Sequence, residues 1–384
     1  MNTPVYLDYN ATTPIDPEVV EEMLPFIHGS FGNPSSSYAI GRKNKEAVIK
    51  ARIQVADLIN AGPGEIIFTS GGTESNNHAI RGIAFANRNR GKHIITSAIE
   101  HPAVTKVCYY LYSLGYDVTY LPVDRNGKTD PKDVEDAIRP DTVLITIMHA
   151  NNEVGTIQPI ELIGRIAKKH NVAFHTDAAQ SVGKIETDVR DLGVDLLTIA
   201  GHKLYAPKGI GALYVKKGTK IENLIHGAGQ EKGLRPGTEN VPYIVALGKA
   251  CEIAKRDFDK NVRIMLTTKE RLFNGLKEKL GDRVMVNGLF SDTLPNTLSV
   301  AFENTEAHTL TSLLSEELFI STGSACHADS IEILSVLKAM NVERMTAAGT
   351  VRISTGKFTT IDEIDRAVEI ITHAVKKIVI ITSI

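Results

Sequence analysis

From about residue 16 to residue 250, short β-branched runs alternate with stretches whose apolar residues recur at helical spacing, and few folds accept that pattern. It is the pattern of βα units laying down a mostly parallel sheet, so the chain reads as α/β. The runs Glu65 to Thr69, His93 to Ser97, Val143 to Met148, Val172 to Thr176 and Leu196 to Ala200 are predicted strands, each leading into polar or small residues. Ligands of open α/β sheets bind beyond the carboxyl ends of the strands, so chemistry is expected there. Asp16-Pro17 and Asp130-Pro131 pair an N-cap residue with a proline suited to the first helical position, and Asn126-Gly127 reads as a turn. Ile160, Ile163, Ile166 and Ala167 repeat on one helical face.

Beyond about residue 257 the pattern changes to a long polar helix, then strands near Val284 to Asn287 and Asn296 to Phe302, then more helices. This predicts a second, α+β unit. Ile361, Ile364, Val368, Ile371, Val375 and Ile378 form one stripe on its last helix. The 384 residues also exceed the usual size of a single core, which favours one large and one smaller domain.

Charge and cysteine content exclude several classes. Lys plus Arg number 43 against 45 Asp plus Glu, for a formal net charge of -2, and no long basic run exists to follow a phosphate backbone. Nucleic acid is therefore not an expected partner. No window approaches the roughly 18 apolar residues of a membrane span, and the first residues lack a basic segment followed by an apolar one. A cytoplasmic protein is expected, without membrane association. The three cysteines, Cys108, Cys251 and Cys326, are odd in number and far apart, against a disulfide framework or a zinc cluster.

Three predicted strand ends carry residues suited to one cofactor chemistry. Ser70-Gly71-Gly72-Thr73-Glu74-Ser75-Asn76-Asn77 joins a strand to a helix, where free N–H groups and the Thr73 hydroxyl suit a phosphate; the same turn also occurs as plain structure. Asp177, followed by Ala178-Ala179-Gln180, is placed to pair with a protonated pyridine nitrogen or to cap the next helix. Lys203, in Gly201-His202-Lys203, can form a Schiff base if partial burial frees its amine, although a lone lysine is usually a solvated charge.

With those three in order, the chain resembles the cysteine desulfurases of the NifS/IscS type, which belong to the fold type I pyridoxal-phosphate transferases. The resemblance runs over almost the whole chain. It includes Tyr6 to Pro14, Gly32 to Ser36, Thr69 to Ser75, Glu100-His101, Ala150 to Gly155, Asp177 to Gln180 and Gly201 to Lys203. It continues through Leu234 to Asn240, Leu294 to Thr297, Gly323-Ser324-Ala325-Cys326 and Val351 to Ser354. It implies a large cofactor domain with a mostly parallel seven-stranded sheet over 14–256. A smaller α+β domain of 1–13 and 257–384 would carry the catalytic cysteine.

By the same resemblance, Lys203 holds pyridoxal 5'-phosphate, Asp177 partners its ring nitrogen and Gln180 its ring hydroxyl. His101 stacks on the ring and moves protons. Gly72, Thr73 and His202 contact the phosphate, and Thr238 reaches it across a dimer interface, so a homodimer is implied. Asn152 contacts the cofactor and, with Arg352, holds the carboxylate of L-cysteine. Cys326, in the small polar stretch Ser321 to Asp329 read as a loop, takes the sulfur as a persulfide and passes it to an iron–sulfur scaffold or a thiolation enzyme. No resident metal is implied, only a transient contact of Cys326 with an iron–sulfur cluster. Cys108 and Cys251 fall in helical apolar patterns and read as core.

Two positions depart from the family pattern: Ala200 stands where many relatives have a serine, and His327 where a threonine or serine is common. The first removes a hydroxyl from the phosphate site. The second would favour the Cys326 thiolate or simply face solvent. Competing readings are a selenocysteine lyase, an aminotransferase of the same fold, which has no need of Cys326, and a non-catalytic scaffold in a sulfur-transfer complex.

Overall fold

A computed structural model describes residues 3–322, 324–327, 330–333 and 335–382, with side chains described at 3–322 and 335–380. Seven strands build the main sheet: β1 (Ile66–Thr69), β2 (His93–Ser97), β3 (Asp117–Leu121), β4 (Thr142–Thr146), β5 (Ala173–Asp177), β6 (Leu196–Ala200) and β7 (Gly211–Val215). Their order across the sheet is β1-β7-β6-β5-β4-β2-β3. β7 is antiparallel to both neighbours and the remaining pairs are parallel, so six strands run one way. The carboxyl ends of β1, β2, β4, β5 and β6 therefore share one edge.

Side chains alternate across a strand, and both faces of this sheet are covered. Ile95, Ile145 and Leu197 enter one apolar core with helices Ala39–Leu58 and Val241–Arg256, while their neighbours Ile94, Leu144 and Leu196 enter a second with helices Gly72–Ala86 and Pro102–Ser113. Burial on two faces explains why these strands read as continuous apolar runs. Each fully buried large apolar side chain contributes about 1.5–3 kcal/mol. The helix starts follow the sequence expectation: Asp16 accepts from Glu18 N and Asp130 from Lys132 N, each at 2.8 Å, a cap type contributing about 1 kcal/mol.

Strands β3 and β7 are not among the runs singled out by pattern. β3 lies at the sheet edge with Asp117 and Tyr120 exposed, and β7 opens on Gly211-Ala212, so neither presents the expected apolar block.

A second sheet, wholly antiparallel, has the order Ser321–Thr322, Thr350–Ser354, Thr297–Phe302, Val284–Val286. Helices Phe258–Leu280 and Ile361–Thr382 share its apolar core, to which Leu272, Leu276, Ile364, Val368, Ile371, Val375 and Ile378 contribute. Ile361, the first residue of the predicted stripe, is exposed instead. The N-terminal strand Val5–Tyr6 pairs in parallel with Leu318–Phe319, and a bridge from Asp8 to Ser354 leads the following residues toward the edge of the large sheet. Ser324–His327 pairs antiparallel with Ser330–Ile333, with Cys326 opposite Ile331, so the segment read as a loop has strand pairing in its backbone. The side chain of Cys326 lies outside the described residues.

Candidate active site

Between the carboxyl ends of the large sheet and the small sheet lies a cavity of about 430 Å³. It is lined by nine of the expected site residues: Gly72, Thr73, His101, Asn152, Asp177, Gln180, His202, Lys203 and Arg352. Separate elements deliver them. β1 leads into the helix beginning at Gly72, β2 into the helix capped by His101, β5 ends on Asp177, and β6 leads into the short turn Gly201–Lys203. Arg352 comes from the middle of the small sheet. Thr238 is exposed in the segment before helix Val241–Arg256 and does not line the cavity.

The helix start is open to an anion. Gly71 has φ 146°, a conformation that favours glycine, and a Cβ on Gly72 would lie 3.3 Å from Ala200 Cβ. First-turn N–H groups such as those of Gly72 and Thr73 have no intrahelical acceptor and sit at the positive end of the helix dipole. His202 shares a hydrogen bond with Thr12 Oγ1 at 3.2 Å, and burial together with the Lys203 charge pushes its pKa down to about 4.

Asp177 is buried yet well supported. Its Oδ2 accepts from Asn76 Nδ2 at 2.7 Å and its Oδ1 from Ala179 N at 2.9 Å. Asn76 Oδ1 has no partner among the described residues. Lys203 donates to the backbone oxygens of Asn10 and Ala11, the latter at 2.7 Å. Burial, reinforced by the Arg352 charge, lowers its amine to about 8. His101 accepts from Ala103 N through Nδ1 at 3.1 Å, which puts the proton of the neutral ring on Nε2. The surrounding protein lowers its pKa, the Lys203 charge adding to the effect and Asp177 opposing it, so the neutral ring is favoured.

Arg352 carries two carboxylates already. Nη2 meets Asp8 Oδ1 and Nη1 meets Glu153 Oε1, both at 2.8 Å, and Nη2 also donates to Ser321 Oγ at 2.9 Å. A substrate carboxylate would have to share the guanidinium with them. Burial raises the Glu153 carboxyl above its ordinary value despite Arg352.

The comparisons with known proteins agree with this geometry. The model of the class-V aminotransferases matches residues 5–367. The chain belongs to that family. Within it, the cysteine desulfurase IscS of Methanosarcina thermophila is 49% identical over 378 residues, covering 98% of this chain and 93% of that protein. The IscS of Dictyoglomus turgidum is 48% identical, with 98% and 96% covered. Among solved structures, a NifS-like protein superposes with a TM-score of 0.92 at 40% identity, covering 97% of this chain and all (100%) of that one. A protein called SspA, solved in complex with cysteine, does so at 0.81 and 41%, with 93% and 100% covered.

Class-V aminotransferases are generally pyridoxal-phosphate enzymes, and the residues present fit that group: a helix start for its phosphate, a supported carboxylate for its ring nitrogen and a lysine of lowered pKa for its aldehyde. Several cavity residues escaped the sequence reading. Asn76 follows Gly72 by four residues and so shares its helix face, a signal that was available. Asp8 and Asn10 stand in a quoted motif, but nothing local tells that they meet Arg352 and Lys203. Cys108 and Cys251 are buried free thiols, as expected, both raised by burial, Cys108 to about 12.

Proposed function

We propose that this protein is a pyridoxal-phosphate-dependent cysteine desulfurase that converts L-cysteine to L-alanine and keeps the sulfur on Cys326. The observation that carries the reading is the meeting of Lys203, Asp177, the helix start at Gly72 and Arg352 around one cavity. When bound, the cofactor supplies an electron sink for negative charge at the substrate α carbon.

The chain's own residues would do the rest. Lys203, whose amine is largely neutral above pH 8, would hold the cofactor through its aldehyde and, when free, would accept the substrate's α proton. Asp177 keeps the ring nitrogen protonated and Gln180 donates to the ring hydroxyl. Gly72, Thr73 and His202 hold the phosphate, with Thr238 of a second copy completing that site in a homodimer. His101 would carry protons at Nε2 beside the cofactor. Arg352 and Asn152 orient the substrate carboxylate by charge-assisted hydrogen bonds.

Cys326 thiolate attacks the substrate sulfur. One C–S bond breaks and one S–S bond forms, so cysteine plus the thiol gives alanine plus a persulfide, with no external oxidant. An iron–sulfur scaffold or a thiolation enzyme then takes the outer sulfur, and Cys326 touches a nascent cluster only in passing. The division into 14–256 and 1–13 with 257–384, and a cytoplasmic location, belong to the same proposal. No described helix is long and apolar enough to cross a membrane.

The test is product analysis on the purified yellow protein with a reducing thiol, cysteine and selenocysteine compared. Cys326→Ser is expected to keep the cofactor colour and to lose alanine formation from cysteine. Full retained turnover in that variant would refute the assigned nucleophile, and faster turnover of selenocysteine would make the protein a lyase.

A further inference from the structure

One buried cation has no part in the chemistry above. Lys184 is 6% exposed and makes no ion pair among the described residues. Its ammonium donates to Gln180 Oε1 at 3.0 Å and to Asn10 Oδ1 at 3.3 Å. The charges around it are cations: Lys203 from the turn after β6 and Arg352 from the small sheet, while Lys357, beside it on a cavity of about 20 Å³, gives its ammonium to Asp16. Burial first, then Lys203 and Arg352, push the Lys184 amine down to about 7. An uncompensated lysine in such a place costs stability that an apolar side chain would not.

What Lys184 gives in return is orientation. The two ends of a side-chain amide have nearly the same shape, so hydrogen bonding decides which faces where. An ammonium only donates, and even the neutral amine keeps two N–H groups for the two oxygens it meets. Gln180 therefore turns Oε1 toward Lys184. Its Nε2 donates to Asn10 O at 3.0 Å and keeps a second N–H for a group in the cavity that Gln180 lines. Asn10, held the same way, directs Nδ2 to Thr297 Oγ1 at 2.8 Å and to Asn152 O at 3.1 Å, and its backbone oxygen also receives Lys203. Lys184 thus bonds both amides, and while Asn10 Oδ1 also accepts from Asn296 Nδ2 at 3.0 Å, Lys184 is the donor that Gln180 Oε1 meets.

We propose that Lys184 is a positioning residue that locks the Gln180 amide with its N–H toward the ring oxygen of pyridoxal phosphate. The inference rests on the reading of Gln180 as the donor to that oxygen. Without Lys184 the Gln180 Oε1 loses its donor and only the Nε2 bond to Asn10 O still holds the amide in this orientation, so the N–H offered to the ring oxygen is less firmly fixed, which disfavours the anionic form of that oxygen.

The experiment uses the full-length protein loaded with pyridoxal phosphate and reads the pH midpoint of the bound cofactor's visible absorbance, with Tm measured alongside. Lys184→Met, Gln180→Leu and the double variant are compared with the parent. His101, His202, Glu153 and Asp177 titrate or carry charge around the same cavity in every protein, so differences between variants isolate the lysine–amide pair. Lys184→Met is expected to raise the midpoint by about one pH unit, the value of one hydrogen bond. Gln180→Leu raises it comparably, and the double variant moves no further than Gln180→Leu alone. If Met is not tolerated, Lys184→Ala carries the same expectation. An unchanged midpoint in the lysine variant, whatever its Tm, or shifts that add in the double variant, would overturn the proposal. A parent protein that takes up no cofactor would overturn the functional reading together with it, and shows itself before any variant is made.

Discussion

Lys203 and Lys269 are both largely buried, and burial lowers both amines to about 8, yet they sit in regions of different character. Lys269, on helix Phe258–Leu280, donates to Thr293 Oγ1 at 2.7 Å and Leu294 O at 3.0 Å and lies 4.6 Å from the Phe290 ring centroid. Its contacts are structural and it lines no part of the large cavity. Lys203 opens on that cavity with Asp177, His101 and Arg352 around it. A lowered lysine pKa thus marks burial; only the company of the amine marks chemistry.

Substitution should separate the two lysines first. Lys203→Ala is expected to lower alanine formation by at least about 10³-fold and to abolish the absorbance of covalently held cofactor. Lys269→Ala should keep both within about twofold and lower stability by about 1–3 kcal/mol through the acceptors it leaves unpaired. Equal losses of activity would break the comparison.

Arg352 stands where the two regions meet, on the small sheet but facing the cavity. Its replacement by alanine should raise KM for cysteine by about 10²-fold, in keeping with the loss of a charge-assisted pair. A change confined to kcat would move its role from substrate binding to the chemical steps.

A smaller effect concerns pH. Apo protein should take up pyridoxal phosphate faster as pH rises through about 8, because the Lys203 amine becomes neutral there. A rate independent of pH between 7 and 9 would contradict the lowered value, the window being set by that pKa of about 8.

A further effect concerns apo stability. Each lysine has a folded pKa of about 8 against an ordinary 10.5, so the unfolded chain binds more protons between those values. Stability should therefore rise with pH across that window, the penalty of the buried charges being fully present below it. Lys269→Met should flatten part of the rise, and an unaltered slope would show that Lys269 titrates normally.

Much of this arrangement was legible in the sequence because the large sheet writes it locally. Asp177 closes its strand and Lys203 comes three residues after the end of the next one, and strand direction alone brings such ends to one edge. Asn10 and Glu153 were not legible as cavity residues. Their partners lie far along the chain: Asn10 spans 286 residues to Asn296 and 174 to Lys184, and Glu153 spans 199 to Arg352. No periodicity reports such contacts. β3 escaped because an edge strand needs no apolar outer face, and β7 because it begins on small residues.

The most direct measurement follows the sulfur itself. The cofactor-loaded protein would be treated with one equivalent of cysteine carrying labelled sulfur, no reducing thiol being present, and then mapped by peptide. One labelled sulfur per chain on the peptide containing Cys326, matched by one alanine, is the predicted result. Label on Cys108 or Cys251, or alanine without any sulfur on the protein, would contradict it.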